Sequence, residues 1–218
     1  MLVAIEGLDF SGKTTLCNML SKGIEVELPD QSLIIKEARQ RVYNLGDMCK
    51  DYERSEDVIR NHYYRNCAIL DTYMDHTYRD CTWNHETIAV ADRWKGSMLI
   101  YGLAMHPERA IEIMSDYRYL DIQEIPLLEV VLDISREEWD KRTFGKELDA
   151  YEKFVSGRFD LMRGNYLGYV NYYDSCSESE VCAITVDGLT KEQVYNAVVA
   201  KIWSHQCMKD VDTVPVML

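Results

Sequence analysis

The sequence predicts an α/β protein: a five-stranded parallel sheet flanked by helices on both faces. Three observations carry this. Five short apolar runs recur along the 218 residues, at 2–6, 32–37, 87–92, 127–134 and 182–187. Stretches of helical composition separate and follow them, at 13–22, 53–83, 94–118, 135–175 and 190–207. A glycine-rich turn, "GLDFSGKT" at 7–14, joins the first run to the first helix. Short continuous apolar runs suit strands covered on both sides, and their alternation with helices implies right-handed crossovers.

Each element has its own signature. "LVAIE" is a short strand ending where the glycine-rich turn begins, and "KTTLCNMLSK" after it has apolar residues at helical spacing. "SLIIKE" ends in Glu37, and the long stretch 53–83 contains "NHYYRN". "TIAVAD" ends in Asp92, directly before Arg93 and the third helical stretch. "LLEVVLDI" precedes 135–175, in which Phe159, Met162, Tyr166, Tyr169 and Tyr173 recur at helical spacing and read as a buried face. "CAITVD" leads into 190–207. No repeat or Pro/Gly/Ser-rich linker divides the chain, so a single domain over 1–208 is expected, with 209–218 a loosely ordered tail.

Composition narrows the partners. Twenty-four basic against 37 acidic residues leave a formal charge of −13, which repels a long polyanion, so nucleic-acid binding is not expected. The longest apolar runs are too short to cross a bilayer, so no membrane partner is expected. The N-terminus shows no charged leader followed by an apolar stretch and cleavage site, and a cytoplasmic location is the expectation. Seven cysteines without a CxxC pair fit free thiols in a reducing compartment.

The chemistry concentrates at two strand ends. Gly7 to Thr14 spell GxxxxGK[ST], the loop of P-loop NTPases, whose glycines let successive N–H groups face an anion at a helix N-terminus. In that pattern Lys13 reaches the β- and γ-phosphates of ATP and the Thr14 hydroxyl joins a Mg²⁺ shell; Phe10, Ser11, Gly12 and Thr15 complete the loop. Asp92 stands where nucleotide-binding proteins of this class put the carboxylate that holds Mg²⁺, usually through water, with Arg93 beside it at the carboxyl edge of the sheet.

These segments resemble the thymidylate kinases, of the nucleoside monophosphate kinase group. The resemblance rests on "IEGLDFSGKTT", on Asp92-Arg93-Trp94 with Ser97 and Tyr101-Gly102, and on "IPLLEVVLDISREEWDKR". It extends to Asp149, Glu152, Arg163 and Tyr166, and to "TVDGLTKEQVYNAVVAKI". The resemblance implies ATP and Mg²⁺ as cofactors, small nucleotides as substrates, and a homodimer. It implies that Asp9 contacts the deoxyribose 3′-OH, that Arg93 bridges donor and acceptor phosphates, and that Ser97 and Tyr101 line the acceptor pocket, with Tyr101 crowding the 2′ position. Glu37 aligns with an acceptor-side glutamate, and Tyr64 and Arg65 are the candidates for holding the base. A lid at about 142–150 brings Arg142 and Lys146 to the transferred group. Departures are also visible. Ala38 replaces a proline, the aromatic–arginine spacing of the base clamp is absent, Gly102 replaces a glutamine, and Phe10 stands where some members have arginine.

A phosphate acceptor is already anionic at neutral pH, so transfer to it requires positioning and charge neutralisation rather than a general base. A deoxynucleoside kinase is the enzyme alternative; it needs a base near a sugar hydroxyl, for which Glu37 is the candidate. A nucleotide-binding switch or adaptor is the alternative from another class. Lys13→Ala is expected to reduce ADP release by orders of magnitude with little loss of stability. Near-normal turnover in that variant would remove the loop from the mechanism.

Overall fold

A computed structural model describes residues 2–27, 33–37, 88–111, 113–114, 127–174 and 180–212. Five parallel strands form one sheet: β1 (Leu2–Gly7), β2 (Leu33–Glu37), β3 (Ile88–Asp92), β4 (Leu127–Asp133) and β5 (Glu180–Thr185), in the order β2-β3-β1-β4-β5. The described helices are α1 (Lys13–Glu27), α2 (Lys95–Met105), α3 (Arg136–Thr143), α4 (Ala150–Gly157), α5 (Phe159–Asp174) and α6 (Lys191–Asp212).

From β1 the chain moves outward to β2; from β3 it moves the other way, past β1, to β4 and β5. With right-handed crossovers, that reversal puts the connecting helices on opposite faces. Accordingly α1 packs with α6, and α2 packs with α5. The reversal also opens a crevice at the carboxyl ends of β1 and β3, where ligands of open α/β sheets bind. Register brings the critical residues to that edge: Ile5 pairs with Asp92, Glu37 with Asp92, and Gly7 with Leu132.

The fold class expected from sequence is the fold observed, and each of the five apolar runs corresponds to a strand. Boundaries differ in places. β5 starts two residues before the expected run, at Glu180, and ends at Thr185. Within 135–174 the chain forms three helices, with the segment expected as a lid, about 142–150, between the first two. Ser135 caps α3 by accepting from the Glu138 N–H at 3.2 Å, and Asp149 with Glu152 forms a capping box that starts α4 afresh. Between them the chain turns through Gly145, whose φ is +73°. α2 stops at Met105, ahead of Pro107, and α6 runs on to Asp212, past the boundary expected at 208. Phe159, Met162, Tyr166, Tyr169 and Tyr173 are all buried, as their spacing predicts.

Among the described residues, two carboxylates with no exposed surface interrupt this apolar interior. Glu6 of β1 and Glu129 of β4 are both fully buried, and Tyr169 Oη donates to Glu129 Oε2 at 2.7 Å. Among the described residues, no helix is long and apolar enough to cross a membrane.

The turn out of β1 is the tightest point of the sheet edge. Gly7 has φ +128°, and a Cβ there would lie 2.5 Å from the Leu132 carbonyl oxygen. Gly7→Ala combines backbone strain with a backbone clash, and should cost about 2–4 kcal/mol. A lower denaturant midpoint at unchanged slope would show it; an unchanged midpoint would mean the strand end can yield.

Candidate active site

The phosphate-binding loop runs from Gly7 into α1 and closes on itself, with Ser11 N–H donating to Leu8 O at 3.2 Å and Leu16 N–H to Gly12 O at 3.0 Å. Gly12 has φ +102°, and Phe10, unusually for a side-chain-bearing residue, φ +65°. Lys13 is buried, and its ammonium donates to Leu8 O at 2.6 Å. At the start of α1 the exposed Thr14 hydroxyl donates to Asp92 Oδ2 at 2.6 Å. The two residues expected to share a metal are thus in contact across 78 positions of sequence.

Arg93 occupies the other side of the loop. It too lies in the left-handed region, at φ +76°, and its N–H continues the sheet by donating to Ile5 O at 3.0 Å. One guanidinium nitrogen, Nη1, lies 3.2 Å from each of Gly7 O, Ser97 Oγ and Tyr101 Oη. The other, Nη2, is ion-paired with Asp9 Oδ1. Tyr101 closes the ring by donating to Asp9 Oδ2 at 3.2 Å, and stacks face to face on Tyr151 with ring centroids 5.5 Å apart. Burial opposes the charge on Arg93. Tyr101 and Asp9 nevertheless raise its pKa well above the ordinary guanidinium range, so it stays cationic.

The lid segment sits against the same loop. Trp139 of α3 is buried and donates its indole N–H to Asp9 O at 3.0 Å; its ring meets Phe10 edge-on at 5.9 Å. Arg142 Nη1 donates to Phe10 O at 3.1 Å and Ser11 O at 3.2 Å, while its Nε donates to Glu138 at 2.8 Å. The Lys146 ammonium lies 4.8 Å from the Phe10 ring centroid. A cleft of about 550 Å³ opens here, lined by Phe10, Gly12, Thr15, Arg142, Lys146 and Leu189 among others.

The structure therefore brings together Gly7, Asp9, Phe10, Ser11, Gly12, Lys13, Thr14, Thr15, Asp92, Arg93, Ser97, Tyr101, Arg142 and Lys146. Glu37 ends its strand beside Asp92. Tyr64 and Arg65 lie outside the described residues, as do Ala38 and the stretch 53–83. Four neighbours of the site were not singled out by sequence reasoning for a part in it: Glu6, Trp139, Tyr151 and Tyr166. A carboxylate closing an apolar strand was the signal available for Glu6. The indole contact of Trp139 joins residues 130 positions apart and left none.

Sheet order, loop and strand-end carboxylate define a P-loop α/β fold. Among solved structures the fold is similar to that of thymidylate kinase from Candida albicans, at 18% identity and a TM-score of 0.67, covering 94% of this chain and 92% of that one. It is also similar to thymidylate kinase from Ehrlichia chaffeensis, at 14% identity and a TM-score of 0.63, covering 93% and 98%. No protein-family model matches the chain, and no curated protein matches it in sequence. At these identities the likeness is one of fold.

Lys13 generates a pH prediction. Burial first, and the Arg93 charge next, lower its pKa from 10.5 to about 8. The folded protein without nucleotide therefore sheds this proton above about pH 8, whereas the unfolded chain holds it to about 10.5. Lys13 thus adds stability as pH rises through that window. Phosphate favours the charged amine, so ATP affinity should fall about tenfold or more between roughly pH 7 and 9.5. Calorimetry near pH 8.5 should detect proton uptake on binding; buffer-independent heats would contradict the lowered pKa.

Proposed function

We propose that this protein transfers the γ-phosphoryl group of ATP to a deoxynucleoside monophosphate, with dTMP the first candidate. The observation that carries the reading is the position of Arg93. Its guanidinium touches the loop at Gly7 O and Asp9 and reaches Tyr101 of α2, so one largely buried cation borders both halves of the crevice.

On the donor half, Lys13 and the N–H groups of the loop receive the phosphates, within reach of the cleft beside α1. Thr14 and Asp92 fit Mg²⁺: both are hard oxygen donors, 2.6 Å apart, and this ion takes few protein ligands while keeping waters and phosphate oxygens. When bound it neutralises charge on the transferred group. Of the two lid cations, Arg142 is committed to Phe10 O, Ser11 O and Glu138, while Lys146 holds its ammonium over the Phe10 ring at the cleft.

On the acceptor half, Asp9 receives the sugar hydroxyl, Tyr101 limits space at the 2′ position, and Ser97 and Arg93 hold the phosphate. Glu37, Tyr64 and Arg65 complete this half towards the base. No proton need be removed from an anionic phosphate oxygen, which agrees with a site built from cations and positioning carboxylates. In this reading 1–208 forms one domain with a lid at about 142–150, working as a cytoplasmic homodimer on small nucleotides.

The test is ADP release from ATP and Mg²⁺ with a panel of deoxynucleoside monophosphates and, separately, the nucleosides. The Candida albicans kinase is described as broad in substrate specificity, which is reason to include every base. Turnover of dTMP and none of thymidine is expected. Turnover of the nucleoside alone would make the protein a deoxynucleoside kinase, and slow release independent of any acceptor would make it a switch.

A further inference from the structure

We propose that Glu6 is a positioning residue that holds Arg93 in its working conformation by capping α2 from across the sheet. The inference rests on the acceptor role of Arg93 proposed above and adds a residue to it.

Arg93 adopts φ +76°, a conformation uncommon for a residue with a side chain, so its surroundings must impose it. Upstream, its own N–H is fixed on Ile5 O. Downstream, α2 begins at Lys95 with Trp94 at the N-cap position. Tryptophan has no acceptor to offer the first-turn N–H groups, and that turn contains no acidic residue. Glu6 supplies what the local sequence lacks. Its Oε1 accepts from Trp94 N–H at 2.7 Å and from Ser97 N–H at 3.0 Å. Its Oε2 is hydrogen-bonded to the Ser97 hydroxyl. A carboxylate here also meets the positive end of the helix, inside the protein where water cannot substitute.

Glu6 thus reaches Arg93 by two routes. One is the peptide that follows Arg93, through Trp94 N–H. The other is Ser97, whose hydroxyl lies between Glu6 and Arg93 Nη1 and is itself 3.0 Å from the Tyr166 hydroxyl. Gly96 makes the approach feasible: a Cβ at that position would sit 3.2 Å from Glu6 Oε1 and 3.1 Å from Glu129 Oε2. A glycine in the first turn of a helix is otherwise a cost.

The experiment compares Glu6→Ala, Glu6→Gln and Gly96→Ala with the unmodified protein in melting temperature, ATP affinity, acceptor kinetics and crystal structure. Glu6→Ala should lower kcat/KM for the monophosphate about 100-fold, as sub-ångström to ångström misplacement of a positioning cation does, with ATP affinity changed less than about threefold. Glu6→Gln keeps an acceptor oxygen for both N–H groups and should recover most of that loss. In the Glu6→Ala crystal, Arg93 should leave φ +76° and part from Asp9. Gly96→Ala, which retains the carboxylate but crowds it, should shift Arg93 and raise the acceptor KM even if Glu6→Ala does not fold. Arg93 unmoved in these structures, or donor and acceptor parameters falling together in proportion to melting temperature, would overturn the proposal. If the unmodified protein releases no ADP with any monophosphate, the functional reading fails, while the crystallographic position of Arg93 still decides for or against Glu6.

Discussion

A guanidinium set largely inside the protein at the end of β3 is the charge around which the site is assembled. Burying a cation is costly unless it is paired and hydrogen-bonded, and the residues that satisfy Arg93 come from two places: the turn out of β1, at Gly7 and Asp9, and the first two turns of α2, at Ser97 and Tyr101. Its partner Asp9 is in turn fixed by Tyr101 and, at its carbonyl, by Trp139. The loop and α2 are therefore tied together through the Arg93 side chain, and α3 joins them through Trp139 at the Asp9 carbonyl.

A second cation shares the space. Lys13 and Arg93 repel, and that repulsion is the second cause, after burial, of the lowered Lys13 pKa, with Asp9, Asp92 and Glu6 acting against it. The two cations are thus held close by carboxylates that do not all face the crevice: Glu6 lies behind the sheet edge, capped into α2, and Asp92 is turned toward Thr14.

Much of this was legible in the sequence because it is local. Continuous apolar runs revealed the parallel sheet, and GxxxxGK[ST] after the first of them located Lys13 and Thr14 at a helix start. Strand ends marked Asp92 and Arg93, since register in a parallel sheet carries residues in those positions to one edge. What was hidden is non-local or conformational. Within 135–175 the helical composition concealed the break between α4 and α5, whereas the one at about 142–150 was read through the lid resemblance, and the S-x-x-E and D-x-x-E spacings that cap α3 and α4 are written in the chain. The capping of α2 is supplied from 91 positions upstream of Ser97, so no window around that helix could reveal it.

Phe10 illustrates how a departure in one residue is absorbed by its neighbours. Without an arginine at that place the loop brings no cation of its own beyond Lys13, and its backbone there is left-handed. The lid then attaches to the features this creates. The turned carbonyls of Phe10 and Ser11 accept from Arg142, the ring edge meets Trp139, and the ring face meets Lys146. Because Trp139 is buried, α3 is anchored in the core rather than hinged over it, and the exposed part of the lid is the turn beginning at Phe144 and Gly145. The cation–aromatic contact of Lys146 links the position of that turn to the loop after β1.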